Sequence, residues 1–260
     1  MTEKLDRLQS LLRANAPLLV AYSGGVDSTC LLAVAHRTLG NKVLGVIADS
    51  PSLPRKTLGS ALGVARDLGV AVEVVATREL ENPLYSNNPP NRCYFCKAEL
   101  FSRMNALAAK RRFAAIAYGE NADDPADLRP GSRAAAEFAV LAPLKQAGLT
   151  KDDVRHLSRI YGLPTADLPA QPCLSSRIPH GTPVTSAALS LIERGEEAMR
   201  SLGFRIFRVR YLPPSGARVQ VAPDEMPSIA EVGARLFEAL RASGFDFIEI
   251  DPGGYRGPSL

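Results

Sequence analysis

At 260 residues with 46% hydrophobic content, the chain can build one large domain or a domain with a smaller appendage around a packed core. Its 31 basic and 27 acidic residues leave a formal net charge of +4, which excludes a strong overall field directed at nucleic acid or a membrane surface. Four cysteines in a chain this long exclude a secreted disulfide scaffold, so clustered cysteines point instead to metal binding or chemistry.

Taken in order, Met1 to Asp6 lacks the apolar core of a signal peptide, and no apolar run reaches membrane-spanning length, so a cytoplasmic protein is expected. Leu5, Leu8, Leu11 and Leu12 recur at helical spacing and predict an amphipathic leading helix over residues 3–14. Leu18-Leu19-Val20-Ala21 predicts a buried strand, Ser23-Gly24-Gly25-Val26-Asp27-Ser28 a glycine-bearing turn, and the run from Cys30 a helix. A strand, such a turn and a helix start form an anion cradle, because the glycines admit close approach and the first amides of the helix lack partners. No lysine follows the turn, so the phosphate-binding pattern G-x-x-x-x-G-K-[ST] is absent. The plain alternative is a simple turn with Asp27 or Ser28 as N-cap.

Further strands are predicted at residues 43–48, 70–75 and 113–118, with a helix over 54–68. Continuous β-branched runs alternating with amphipathic helices predict an α/β fold, a parallel sheet with helices on both faces and right-handed crossovers. Ligands in such sheets sit beyond the carboxyl ends of strands. Three of those ends carry candidate loops: residues 23–28, Asp49 to Ser52, and Gly119 to Asp124. The last two are placed to hold a nucleoside and Mg2+, or are polar because they are exposed.

From about Asp167 the pattern changes. Pro169, Pro172, Pro179 and Pro183 stiffen a long segment to Thr185 that is not expected to be helical. A helix at 187–202, strands at 205–211 and 217–221, a helix at 228–242 and a strand at 247–250 then predict a smaller α/β unit. The expected boundary lies near residue 180, giving domains 1–180 and 181–260. Strand alternation puts Arg208 and Arg210 on one side and Phe207 and Val209 on the other. Two guanidiniums on one face suit a phosphate or carboxylate, and also the solvated face of an edge strand.

Cys30 lies in an apolar helical run and reads as a small buried hydrophobe. Cys93-Tyr94-Phe95-Cys96 is a C-x-x-C at a helix start, and Cys173 sits in the proline-rich segment. Spacing leaves four readings open for these three: a 4Fe-4S cluster with one open iron, zinc with His180 as fourth ligand, a redox pair, or no joint role. His36 and His156 fall in helical patterns and read as surface or packing residues.

The loop Ser23-Gly24-Gly25-Val26-Asp27-Ser28 resembles the pyrophosphate-binding loop of the PP-loop ATP pyrophosphatases, which split ATP between its α- and β-phosphates to adenylate a substrate. Three further stretches extend the likeness over nearly the whole chain. They are Asn88 to Lys97; Asn121 to Asp124 with Asp127-Leu128-Arg129-Pro130-Gly131; and Cys173 to Gly181, joined by Arg208-Val209-Arg210 and Gly254-Tyr255-Arg256. Together they resemble the LarE family, ATP-dependent sulfur transferases that make the nickel-pincer nucleotide cofactor of lactate racemase. The sequence departs from that pattern at Tyr118-Gly119-Glu120 and at Gln220.

The resemblance implies an enzyme that takes a small-molecule substrate, pyridinium-3,5-biscarboxylic acid mononucleotide. ATP adenylates a carboxylate, pyrophosphate leaves, and sulfur replaces AMP to give a thiocarboxylate. It implies a nucleotide and Mg2+ site from Ala21, Ser23, Gly24, Gly25, Val26, Asp27, Ser28, Asp49, Ser50, Gly119, Asn121 and Arg129, with Asp27 also in a catalytic role. It implies substrate contacts from Ser176, Arg177, Arg208 and Arg210, and a homo-oligomer. Members with a single cysteine matching Cys173 sacrifice its sulfur. Members with three, matching Cys93, Cys96 and Cys173, resemble enzymes that hold a 4Fe-4S cluster and take sulfide from outside. All three cysteines are present, so the cluster is expected. A tRNA thiolase of the same class would need a basic surface or an RNA-binding module, and the near-balanced charge argues against it; a non-catalytic nucleotide-binding or iron–sulfur regulator would release no pyrophosphate.

Overall fold

The computed structural model describes residues 1–125 and 130–255. The chain divides into two compact units, one built from Met1–Glu79 and Asn91–Gln171, the other from Leu80–Pro90 and the chain from Pro172 onward. This division differs from the expected one in giving residues 80–90 to the second unit and in starting that unit's main segment at Pro172. Hydrogen bonds supply the reason. Asn88, at a left-handed φ of 57°, donates its side-chain amide to the carbonyls of Pro179 at 2.7 Å and Thr182 at 2.9 Å. The main chain adds bonds from Gly181 to Asn88 and from Val184 to Ser86.

In the first unit the order is α1 (Thr2–Ala14), β1 (Leu18–Ala21), α2 (Val26–Leu39), β2 (Val43–Asp49), α3 (Arg55–Asp67) and β3 (Val72–Ala76). After α4 (Pro83–Ser86), which belongs to the second unit, come α5 (Arg92–Arg111), β4 (Ala115–Tyr118), α6 (Pro130–Glu137), α7 (Pro143–Gln146) and α8 (Lys151–Ile160). The four strands form a parallel sheet in the order β3-β2-β1-β4, with Leu18 level with Val43 on one side and Ala115 on the other. Central β1 is buried on both faces. Leu18 and Val20 join Leu8 and Leu12 of α1, the apolar run of α2, and Val154 and Leu157 of α8. Leu19 points the other way, to Phe101, Met104 and Leu107 of α5. The α/β fold with a parallel, two-sided sheet is therefore as expected, and truncating the fully buried Phe101 to alanine should cost ~3–5 kcal/mol. Cys30 is fully buried among these side chains, and burial pushes its thiol up to about 12.

In the second unit a 3-10 turn (Leu174–Arg177) precedes α9 (Ser186–Ser201), β5 (Phe207–Leu212), β6 (Gly216–Val221), α10 (Met226–Ala242) and β7 (Phe247–Ile250). Its sheet runs β5-β6-β7, antiparallel in the first pair and parallel in the second. Phe207 and Val209 of β5 and Ala217, Val219 and Val221 of β6 pack against Met199, Leu236, Leu240 and Phe245. The proline-rich segment is more ordered than its composition suggests. No proline falls between Cys173 and Arg177, so the amides of Ser176 and Ile178 can close the turn onto the carbonyls of Cys173 and Ser175. Among the described residues no helix is long and apolar enough to cross a membrane.

The start of α8 carries a capping box. The Thr150 hydroxyl accepts from the Asp153 amide at 3.2 Å, and the Asp153 carboxylate accepts from the Thr150 amide at 3.0 Å. Lys4 of α1 adds an ion pair at 2.5 Å. The Lys4 ammonium first, then the Thr150 amide, hold the Asp153 carboxyl at about 2, against an ordinary 3.8. Because the folded value is depressed, this stabilisation is complete above about pH 4 and is lost as pH falls towards 2. Solvent screening limits it to roughly 1 kcal/mol. In urea melts, Asp153→Asn should be less stable than the parent at pH 6, with the difference closing as pH falls below 4.

Candidate active site

The cradle forms where β1 ends. Tyr22 extends the ladder by donating its amide to Val46 at 2.8 Å, and its hydroxyl donates to the Ala61 carbonyl at 2.9 Å. The turn is closed by Ser28, whose hydroxyl accepts from the Ser23 amide at 3.2 Å, donates to the Gly25 carbonyl at 3.2 Å and lies 3.0 Å from the Ser23 hydroxyl. Gly24 has φ +77°, and a Cβ there would sit 2.6 Å from the Cβ of Ala61 in α3. At Gly119, just past β4, a Cβ would lie 2.8 Å from the Ser28 nitrogen. Gly24 therefore lets the loop close onto Ala61 of α3, and Gly119 lets the end of β4 approach the backbone of the first turn of α2. Helix α2 has no side-chain cap, which leaves its first amides for an anion.

Asp27 is the charged group of the cradle. Its carboxylate accepts from the Asn121 side chain at 3.2 Å and forms an ion pair with Lys151 at 2.5 Å. Asn121 is itself oriented by accepting from the Asp123 amide at 2.9 Å, and the Asp123 carboxylate accepts from the Lys151 amide at 2.7 Å. The loops after β1 and β4 and the start of α8 are thus tied together.

The loop after β2 is closed on itself. Asp49 pairs with Arg55 at 2.5 Å, and the guanidinium also donates to the carbonyls of Ser50 and Leu53. The Ser50 hydroxyl is buried between Ser52 and Glu79. At the end of β4, buried Glu120 accepts from Lys145 at 3.0 Å, from Ser132 at 2.8 Å and from Tyr118. Tyr118-Gly119-Glu120 is therefore a buried polar knot. Nearby, the Lys97 ammonium stands 4.6 Å from the centre of the Tyr118 ring. Burial pulls its pKa below the ordinary lysine range, against the opposing pull of Cys96 and then Glu120. Cys93 is exposed and Cys96 half-buried, one turn apart at the start of α5.

In the second unit, Cys173 sits at the N-cap of the 3-10 turn. Arg177 is buried and fully committed. It grips Glu196 of α9 through two bonds of 2.7 and 3.1 Å and donates to the carbonyls of Pro172 at 2.6 Å and Cys173 at 3.0 Å, and to the Ser176 hydroxyl at 2.9 Å. Arg210 donates to the Ser176 carbonyl at 2.8 Å and to Gln220 at 2.9 Å, and Gln220 passes the chain on to Asp251 at 2.7 Å. Arg208 lies 4.6 Å from the centre of the Tyr255 ring. Burial, then the neighbouring Arg177 charge, lowers the pKa of both Arg208 and Arg210. Like charges gathered on one half-buried face favour an anion between them.

No protein-family model matches the chain. Curated proteins do. An uncharacterized protein of Synechocystis is 38% identical over 262 aligned positions, covering 100% of this chain and 97% of its own. One of Methanocaldococcus jannaschii is 26% identical, covering 98% of each. The pyridinium-3,5-bisthiocarboxylic acid mononucleotide synthase of Lactiplantibacillus plantarum is 33% identical over 91% of this chain and 86% of its own length. The chain belongs to this synthase family, LarE.

Set against the LarE reading of the sequence, residues 21–28, Gly119 and Asn121 lie together around the cradle. Val26 and Ser28 are buried, so Val26 can offer a ligand only its backbone. Asp49 and Ser50 end the adjacent strand, with their side chains occupied as described. Arg129 lies outside the described residues. Arg177, paired with Glu196, holds Ser176 and the Cys173 segment, Arg210 reaches the Ser176 carbonyl, and Arg208 lies over Tyr255. Cys93 and Cys96 belong to the first unit and Cys173 to the second; among the described residues no group of three or more His, Cys, Asp or Glu is placed to hold a metal ion.

Two residues escaped sequence reasoning. Glu196 recurs at helical spacing with Leu189, Ile192 and Met199 on the buried stripe of α9, and a charge in such a stripe is the signal. Lys151 occupies the first position of α8, where the helix dipole disfavours a cation, and that misfit is its signal.

Gly24→Ala should lower thermal stability by about 2 kcal/mol or more, from left-handed strain together with the Ala61 collision. An Ala61→Gly second change should recover only the collision part. Replacing Glu196 with leucine strands buried Arg177 and should cost about 3–5 kcal/mol. Hydrogen exchange should then rise at residues 173–178, a turn that Arg177 holds through the carbonyls of Pro172 and Cys173 and the Ser176 hydroxyl.

Proposed function

We propose that the protein is an ATP-dependent sulfur transferase acting on pyridinium-3,5-biscarboxylic acid mononucleotide. The observation that carries this reading is the 33% identity, over most of both chains, to a protein named as the bisthiocarboxylic acid mononucleotide synthase. The cradle at residues 23–28 supports it. A carboxylate is a poor acyl donor, and adenylation turns its oxygen into part of a good leaving group. The substrate carboxylate attacks the α-phosphate of ATP and pyrophosphate departs with its electron pair. A sulfide equivalent then adds to the acyl carbon, the acyl–oxygen bond breaks, and AMP and a proton leave behind a thiocarboxylate.

The amides of residues 24–28 bind the departing pyrophosphate and stabilise the charge that develops on it, with Asp27 at hand for Mg2+. Arg208 and Arg210 take the substrate phosphate, two half-buried guanidiniums on one face of β5 being suited to an anion. Ser176 and Arg177 set the segment that carries Cys173. Cys93, Cys96 and Cys173 are the residues that would hold a 4Fe-4S cluster, since thiolates are the ligands such a cluster takes; the cluster would supply an iron able to take up external sulfide.

The test uses anaerobically prepared protein with ATP and the dicarboxylate nucleotide. AMP, pyrophosphate and a sulfur-bearing product should form only when both are present; no pyrophosphate release would sink the reading. Iron content and the mass of the protein after turnover separate the sulfur sources. Bound iron with Cys173 intact supports the cluster, whereas loss of the mass of hydrogen sulfide at Cys173 assigns the sulfur to the protein itself.

A further inference from the structure

Glu79, just past the end of β3, is 2% exposed and its carboxyl is only half satisfied. Its Oε1 takes the hydroxyl of Ser50 and, at 3.4 Å, that of Ser52. Its Oε2 has no hydrogen-bond partner among the described residues. A buried carboxyl with one oxygen unmet costs stability, so its presence calls for a reason other than stability. The loop it holds supplies that reason.

A hydroxyl has one proton to give. That of Ser50 goes to Glu79, so the Ser50 oxygen accepts, from the Ser52 amide at 3.0 Å and from the Ser52 hydroxyl at 2.7 Å. The chain of bonds ends on Glu79. Both serines are buried, so this chain fixes the inner side of the loop that follows β2. On the outer side Arg55 grips the same loop through Asp49 and the carbonyls of Ser50 and Leu53. The Arg55–Asp49 pair is nearly half exposed and open to solvent screening, which leaves the buried anchor as the firmer constraint. The bare Glu79 oxygen is sealed from solvent, so Glu79 acts through the serines rather than by touching a ligand.

We propose that Glu79 is a positioning residue for the nucleoside of ATP: through Ser50 and Ser52 it sets the loop after β2 in the shape that receives adenosine. This rests on the adenylation reading above. The phosphates fall to the cradle at residues 23–28, which is closed by its own bonds through Ser28 and owes nothing to Glu79. The two halves of the nucleotide are therefore received by separately anchored loops.

Calorimetric titrations with AMP and with magnesium pyrophosphate test this, on the parent protein and on Glu79→Met, Glu79→Gln, Ser50→Ala and the double variant Glu79→Met with Ser50→Ala. Glu79→Met keeps the bulk of the side chain and removes the buried carboxyl, which favours a folded variant; melting temperatures check that each variant is folded. Glu79→Met should weaken AMP about tenfold, the scale of a hydrogen bond to a charged group, and leave pyrophosphate unchanged. Glu79→Gln retains an acceptor for Ser50 and should recover most of that loss. Ser50→Ala should match Glu79→Met, and the double variant should bind AMP no more weakly than either single one, because both break one chain. Unchanged AMP affinity in Glu79→Met would overturn the proposal, as would AMP and pyrophosphate weakened together, or losses that multiply in the double variant. If the parent binds neither ligand, the adenylation reading itself falls and the proposal with it.

Discussion

The ion pair between Asp27 and Lys151 is the contact on which the first unit's polar edge depends. A carboxylate in the first turn of a helix with free amides is held by a lysine at the first turn of another helix, so α2 and α8 are locked start to start. Through Asp123 and Asn121 the same pair fixes the loop after β4. The apolar side of the arrangement is equally specific. Leu18 and Val20 of β1 share a core with Val154 and Leu157 of α8, so the strand that ends at the cradle and the helix that delivers the lysine are packed as one body.

The second unit is organised by a different charge. Glu196 faces the core of α9 and would be costly there without Arg177, which in turn would be costly without Glu196. The pair contributes little net stability by the usual accounting, yet it dictates conformation. Arg177 spends its remaining donors on the carbonyls and hydroxyl around Cys173 and Ser176. That gives the proline-rich segment a defined turn, beside the face of β5 that carries Arg208 and Arg210.

Much of this was legible without coordinates. The run Leu18 to Ala21, the two glycines and the apolar start of α2 announce a strand, a turn and a helix whose order makes an anion cradle. Alternation in Phe207 to Arg210 announces which face of β5 is buried, and Cys30 sits where its apolar neighbours said it would. These features are local, set by side-chain period and by backbone freedom. The spacing of the cysteines was local too, but spacing alone left their chemistry open.

What the chain by itself determined is therefore the order of elements, the parallel sheet, the phosphate loop and, through its likeness to LarE proteins, the family. Tertiary structure alone decided which charges meet. Lys151 is 124 residues from Asp27, Glu196 is 19 from Arg177, and Asn88 is 91 from the carbonyl of Pro179. No periodicity links such pairs, because each partner is chosen by the register of the sheets and by the cost of leaving a buried charge or amide alone. The cradle is written in six consecutive residues; the cation that completes its charge balance had to be folded into place.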